Sequence, residues 1–148
     1  MITLADALKE PHRRRAAAKA GAKLVDDEVH AKGGVTGLAL RAALRALRSV
    51  RPDFVESALE ALLPHFAPAL DPLWVEANID GKPDAWFRKN AGRVADALLA
   101  VTDARAERSS QPTTVRAYRG LRATARPHVE AVVPRLPAFI RAHTQASV

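Results

Sequence analysis

Residues 43–66 read A-L-R-A-L-R-S-V-R-P-D-F-V-E-S-A-L-E-A-L-L-P-H-F, and residues 117–139 read A-Y-R-G-L-R-A-T-A-R-P-H-V-E-A-V-V-P-R-L-P-A-F. Both passages contain A-x-R-x-L-R, then Arg-Pro, Val-Glu, and finally Leu, Pro and Phe with small gaps. This pattern predicts two helices separated by a proline, so we expect a helix to end at Pro127. If the unit occurs twice, in residues 36–74 and 113–143, the chain contains an internal duplication.

The composition predicts a helical protein. A chain of 148 residues fits one domain, spanning residues 1–148, and is long enough to bury a core. Alanine, the best helix former, accounts for 31 residues, and no stretch alternates apolar and polar residues as a half-buried strand does. We therefore expect an all-α bundle of about six or seven helices, with the internal duplication as an open alternative for its topology.

Two regions between the repeated passages carry their own helix signals. Pro64, Pro68 and Pro72 recur every four residues, which predicts a broken or kinked segment over residues 54–78. Residues 84–107 have apolar side chains at spacings of three and four, which predicts one long helix with a buried side.

Several protein classes are excluded by composition. The chain has no cysteine, which excludes disulfides, thiolate zinc sites and a cysteine nucleophile, and which fits a reducing compartment. The first residues lack the basic and apolar regions of a signal peptide, and no run of about 18 apolar residues predicts a membrane span. We therefore expect a cytoplasmic protein.

The charge distribution supplies the candidate site. The net charge is +7, and arginines outnumber lysines by 17 to 6. Many of the arginines fall on two predicted helix faces, which we call the first and second arginine rows. The first row is Arg41, Arg45, Arg48 and Arg51, and the second row is Arg116, Arg119, Arg122 and Arg126. A GC-rich coding sequence is the alternative explanation for the abundance of alanine and arginine.

The arginine rows allow three interpretations. Guanidinium groups along a helix bind a phosphate backbone, so a nucleic acid is one candidate partner, and another polyanion is the second. The third is a solvated face that pairs with the acidic middle of the same chain or of a partner subunit. No aromatic residues interleave with the arginines, which disfavours stacking on a single strand.

An acidic edge on the predicted 84–107 helix suggests a homodimer. Asp96, Asp103 and Glu107 share the side opposite the apolar one, where they would meet the arginine rows of a second copy. Surface ion pairs contribute only about 0–1 kcal/mol each, so such a dimer also needs apolar contacts from the proline-rich segment.

Three further motifs are weaker. Residues 25–50 have the outline of a helix-turn-helix, but the second helix opens with apolar residues rather than base-reading ones. The glycine-rich loop over residues 33–37 lacks the Gly-Lys-Ser/Thr ending of a phosphate loop. The acidic cluster over residues 26–30, which ends in His30, lacks the repeated Glu-x-x-His of bundle metal sites. We expect no metal, no cofactor and no catalytic residue.

Three stretches carry a resemblance to a known family. They are residues 61–66 continuing to Leu73-Trp74, residues 94–105, and residues 118–122. In these the chain resembles a family of small all-helical bacterial proteins, a domain of unknown function found mostly in GC-rich actinobacteria and relatives. The resemblance implies a cytoplasmic helical domain, and it implies no activity, cofactor or site residue.

These observations favour a function without catalysis. We expect a cytoplasmic interaction or scaffold protein that acts through helix surfaces, on a protein partner or as a homodimer. The alternative is a nucleic-acid or polyanion binder that uses the two arginine rows. An enzyme with an unrecognised site inside the bundle is a third and weaker hypothesis.

Overall fold

The computed structural model describes residues 2–110 and 112–145, and within them it contains eight α-helices and no β-strand. The elements are α1 (Leu4–Ala7), α2 (Pro11–Ala31), α3 (Gly34–Val50), α4 (Phe54–Ala77), α5 (Pro83–Lys89), α6 (Ala91–Glu107), α7 (Pro112–Val132), a 3₁₀ turn (Val133–Arg135) and α8 (Leu136–Thr144). The predicted all-α single-domain architecture is confirmed, with more helices than the six or seven expected. None of the helices in the described part combines the length and the apolar composition needed to cross a membrane.

Helix α4 is continuous through its three prolines, so the predicted break was wrong, while the alternative of a kink stays a prediction. Pro64, Pro68 and Pro72 are all exposed, because a spacing of four places them on one side of the helix. Each proline leaves the carbonyl four residues earlier without its helical donor, and water can reach that side. The opposite side carries the buried residues, among them Leu63 and Leu70. The prolines therefore lie where their cost is smallest.

The core forms around the buried side of α4. Helices α2 and α6 pack against α4, and α7 packs against α6. Phe87 is fully buried between two tryptophans, with ring centroids 5.8 Å from Trp74 and 5.4 Å from Trp86. This aromatic cluster joins α4 to α5 within a core that otherwise consists mainly of leucine, alanine and valine.

Helix α1 is held by a side chain far away in the sequence. Asp71 of α4 accepts hydrogen bonds from the backbone amides of Leu4, at 2.9 Å, and Ala5, at 3.1 Å. Thr3 accepts from the amide of Asp6 at 3.1 Å. These three acceptors satisfy amides at the helix start that have no partner within the helix.

The long helix predicted over residues 84–107 is divided at Asn90. The Asn90 side chain donates to the carbonyl of Trp86 at 2.9 Å, and its backbone amide donates to the same carbonyl. The Asn90 backbone leaves the helical conformation, with φ −109° and ψ 25°, so α5 ends at Lys89 and α6 begins at Ala91.

The two repeated passages differ in local structure where their Arg-Pro pairs lie. Pro52 is in the short connection between α3 and α4, whereas Pro127 is inside α7, which continues to Val132. The predicted helix end at Pro127 was therefore wrong. Pro127 is exposed, so its missing donor is on the solvent side. The internal duplication of residues 36–74 and 113–143 stays a prediction from sequence.

We predict that Asp71→Ala lowers the free energy of unfolding by about 1–2 kcal/mol, because two amides of α1 lose a charged acceptor. Urea unfolding followed by far-UV circular dichroism measures this change. Asp80→Ala, an exposed aspartate in the turn before α5, is the matched control and keeps the wild-type midpoint. Equal midpoints for both variants would show that the contacts of Asp71 do not stabilise α1.

Candidate functional site

Arg41, Arg45 and Arg48 of the first arginine row lie on α3, and Arg51 follows the last residue of that helix. Arg48 forms an ion pair with Asp26 of α2. Arg41 donates to the backbone carbonyl of Lys32, at the end of α2, at 3.1 Å. Both side chains are partly buried by these contacts, so they help to fix α3 on α2 rather than project freely into solvent.

The second arginine row lies on α7, and two of its members, Arg122 and Arg126, contact α6. Arg122 donates through Nε to both carboxylate oxygens of Asp103, at 2.9 and 3.1 Å. Arg126 pairs with Asp96 of α6 at 3.0 Å and with Glu130 of its own helix at 2.9 Å. The two rows therefore contact different helices, and these contacts do not bring them together on one surface.

Three arginines of the two rows have no charged partner among the described residues. Arg45, Arg116 and Arg119 are exposed and make no ion pair or hydrogen bond within the described residues. Arg51 is also exposed, but it pairs with Asp53 at 3.1 Å. The set available to an anionic partner is thus Arg45 on α3 together with Arg116 and Arg119 on α7.

Two carboxylates of the acidic edge of α6, Asp96 and Asp103, form ion pairs within the same chain. The sequence pattern placed Asp96 and Asp103 against a second copy, whereas the structure pairs them with arginines of α7. The hydrogen bond from Arg126 lowers the pKa of the Asp96 carboxyl. Arg122, and then Tyr118, lower the pKa of Asp103 by donating hydrogen bonds to it. Both carboxylates therefore stay ionised and hold α7 on α6.

A side-chain network around Tyr118 reinforces the same junction. The Tyr118 hydroxyl donates to Asp103 and lies 2.7 Å from the hydroxyl of Thr102, which donates to the carbonyl of Leu99 at 3.0 Å. Desolvation, followed by the bond to Asp103, raises the pKa of Tyr118. A phenol with a raised pKa stays protonated, so it serves as a hydrogen-bond donor here. The sequence showed these residues but not their proximity.

The loop predicted over residues 33–37 was wrong, because α3 begins at Gly34 and includes most of these residues. The glycines have a packing role instead. Gly33 precedes α3, and Gly34 has a positive φ of 67°, which favours glycine. A side-chain carbon at Gly37 would lie 2.2 Å from the carbonyl oxygen of Lys32. Glycine at position 37 therefore allows the end of α2 and the first turn of α3 to approach closely.

The acidic cluster at the end of α2 is neutralised by basic side chains. Asp27 pairs with Lys23 at 2.8 Å, and Glu28 lies between Lys32 at 3.4 Å and Arg135 at 3.5 Å. No group of three or more metal-binding side chains occurs among residues 2–110 and 112–145. Among these pairs, the one between Glu28 and Arg135 links α2 to the 3₁₀ turn, and the other two lie within α2 and its end.

Helix α3 exposes an apolar side. Val35, Leu38 and Val50 are 84%, 64% and 75% exposed, and in the whole helix only Gly37 is buried. Four alanines are exposed beside them: Ala39, Ala42, Ala43 and Ala46. Isolated exposed apolar residues are common, but a continuous apolar side over about four turns is typical of an interaction surface.

An apolar groove of about 270 Å³ lies between α3 and α7. Helix α2 packs against both of these helices and lines the groove with Val25 and Val29. Leu44 of α3 and Val129 of α7 stand on the two sides. His128 also lines the groove, and its Nδ1 atom is buried without a hydrogen-bond partner. The groove and the exposed side of α3 together form the candidate interaction surface.

One pattern in the sequence indicates part of this surface. Leucines at positions 40, 44 and 47 have helical spacing and predict a buried side for α3. Nothing local in the sequence indicates that α7 stands apart from α3 and leaves a groove, because that depends on the ion pairs between α7 and α6.

We predict that Asp103→Asn weakens the acid dependence of stability. A carboxyl with a lowered pKa stabilises the fold above its unfolded pKa of about 3.9, and this contribution is lost as the pH falls through the folded pKa. Wild type should therefore have the higher melting temperature near about pH 6, and the two proteins should converge toward about pH 2. Thermal unfolding across this range measures it, with Asp80→Asn as control. A constant difference at all pH values would contradict the assignment.

Comparison with known proteins gives a family. No curated protein and no solved structure showed a significant match to the chain. One family model, described as "Family of unknown function (DUF6918)", matches residues 4–144, which include all eight helices. The chain therefore belongs to the DUF6918 family.

Proposed function

We propose that this protein is a non-catalytic interaction protein that binds an amphipathic helix of a protein partner along α3 and the adjoining groove. The exposed apolar side of α3 is the observation that supports this proposal most directly. A helix that lies in such a groove inserts side chains at spacings of three and four residues into the pockets along it.

Small side chains on α3 suit close helix packing. Ala42 and Ala46 are exposed in the middle of the helix, and they let a second helix backbone approach. Larger groups stand at both ends of the surface, where Val35 and Val50 are among the most exposed residues. Burial of these side chains would supply the main favourable free energy of association.

The charges favour an acidic partner over a second copy. Arginines are the only charged residues of α3, and Arg45 lies seven residues after Leu38, which places it beside the apolar surface. A second copy would bring another α3 without a carboxylate, and each copy carries a net charge of +7. A partner helix with glutamate or aspartate at its edges would meet Arg45 with opposite charge.

We predict that a designed amphipathic peptide of about five helical turns binds when glutamates flank its apolar side, and binds at least about tenfold more weakly with lysines in their place. Fluorescence anisotropy of the labelled peptides measures both affinities. Ala42→Glu should lower the affinity for the glutamate peptide by at least about tenfold, because it places a charge in the apolar surface.

The matched control is Ala100→Glu, which adds the same charge at an exposed alanine of α6 and leaves peptide affinity unchanged. Equal affinities for the two protein variants would contradict the proposed surface.

Light scattering tests whether a second copy of the protein occupies the surface instead. If wild type has the mass of a dimer and Ala42→Glu has the mass of a monomer, the surface is a homodimer interface. The proposal of an acidic partner helix would then be wrong.

A second candidate function is supported by the three open arginines. Arg45, Arg116 and Arg119 are exposed without ion pairs in the described residues, and the chain as a whole is basic. Exposed guanidinium groups bind phosphates or sulfates of a polyanion such as a nucleic acid. The paired arginines, in contrast, would have to exchange a carboxylate for the new ligand.

We predict for this candidate that the protein is retained on heparin, and that Arg→Glu at positions 45, 116 and 119 together makes it elute at clearly lower salt. The control reverses the charge of Lys19, Arg88 and Lys89, which are exposed on α2 and α5. Co-elution of the two triple variants would show that retention reflects net charge alone.

We also propose a cellular setting for the protein. A cytoplasmic setting in a GC-rich bacterium is supported by the cysteine-free composition and by the excess of arginine over lysine.

A further inference from the structure

A second apolar space lies deeper in the bundle than the groove. This cleft has a volume of about 220 Å³, and residues from α2, α4, α6, α7 and α8 line it. The lining side chains are aliphatic or aromatic except for Thr102, whose hydroxyl is already bonded to the carbonyl of Leu99 and to Tyr118. The part of a ligand that enters the cleft therefore finds no free hydrogen-bonding group.

The cleft has access to the surface. Leu59, Leu98 and Val129 line it and are only partly buried. Val25, Val129 and Val132 line both the cleft and the groove, so the two spaces adjoin. A molecule that enters between these side chains is not enclosed on all sides, and a polar end can remain near the opening.

Gly21 forms part of the wall of the cleft. It lies inside α2, where alanine would stabilise the helix. A side-chain carbon there would stand 3.1 Å from Cδ1 of Leu59 and 4.0 Å from Cε2 of Phe139, and both of these residues line the cleft. The glycine thus leaves room on one side of the space at a cost to the helix.

We propose that this cleft binds an unbranched aliphatic chain. An empty apolar cavity loses packing contacts, and apolar cavities of about 150 Å³ stay dry and take up ligands the size of benzene. The cleft offers only apolar contacts and adjoins the groove at its opening, which suits a hydrocarbon chain whose polar end stays outside. Free single-chain molecules and the acyl chain of a lipid share this chemistry.

The test uses 1-octanol as probe and methyl NMR of the whole protein as readout. Saturable shifts are expected for the methyl signals of Leu59, Leu98 and Val129, with no shift for Leu8 or Val75, which do not line the cleft. Leu98→Phe, which fills the cleft, should weaken octanol binding at least tenfold. Val75→Phe is the matched control at an exposed position of α4 and should bind as wild type.

Leu98→Ala gives an independent readout if Leu98→Phe fails to fold. It enlarges the cleft, so the chain length that binds best should shift from 1-octanol toward 1-decanol. An unchanged preference in folded Leu98→Ala, or the absence of saturable shifts in wild type, would overturn the proposal. Ala42→Glu should leave octanol binding unchanged, which separates this site from the proposed helix-binding surface.

A second arm of the test distinguishes the sources of the chain. The protein is incubated with phosphatidylcholine vesicles, re-isolated and analysed by mass spectrometry. Lipid that co-purifies and that 1-octanol displaces supports an acyl chain of a membrane lipid, whereas octanol binding without lipid uptake supports a free chain. Failure of both arms would overturn the site.

Discussion

The proline side of α4 must face solvent, and most of the fold depends on this constraint. A proline within a helix removes a donor, so the freed carbonyls need water, and a spacing of four puts them all on one side. The other side of α4 is then the side left to bury, and α2 and α6 pack on it. Helix α1 depends on the same helix, because Asp71 of α4 accepts its first amides.

Charge organises the outer helices. Asp96 and Asp103 hold α7 on α6 through Arg126 and Arg122, while Arg48 holds α3 on α2. Since the two arginine-bearing helices are drawn to different neighbours, a groove remains between them with α2 beneath it. The same arginines that suggest anion binding in the sequence therefore serve largely to shape an apolar surface, and only a few keep their charge available.

The sequence predicted what depends on composition and local spacing. Abundant alanine and the absence of alternation gave the all-α class. It did not predict the continuity of α4 or the division at Asn90. The first depends on which side of the helix meets water, and the second on a local change of backbone conformation at Asn90. The pairing of Asp103 with Arg122 and Tyr118 spans 15 to 19 residues, and only the packing of two helices makes it visible.

The bond between Asp71 and α1 also has a consequence for biosynthesis. A ribosome releases the chain from its first residue onward, and domains form as their parts emerge. The amides of Leu4 and Ala5 leave the exit tunnel long before their acceptor, which follows 66 to 67 positions later. Helix α1 is thus made before the helix that secures it, and it stays open to chaperones until α4 has been translated.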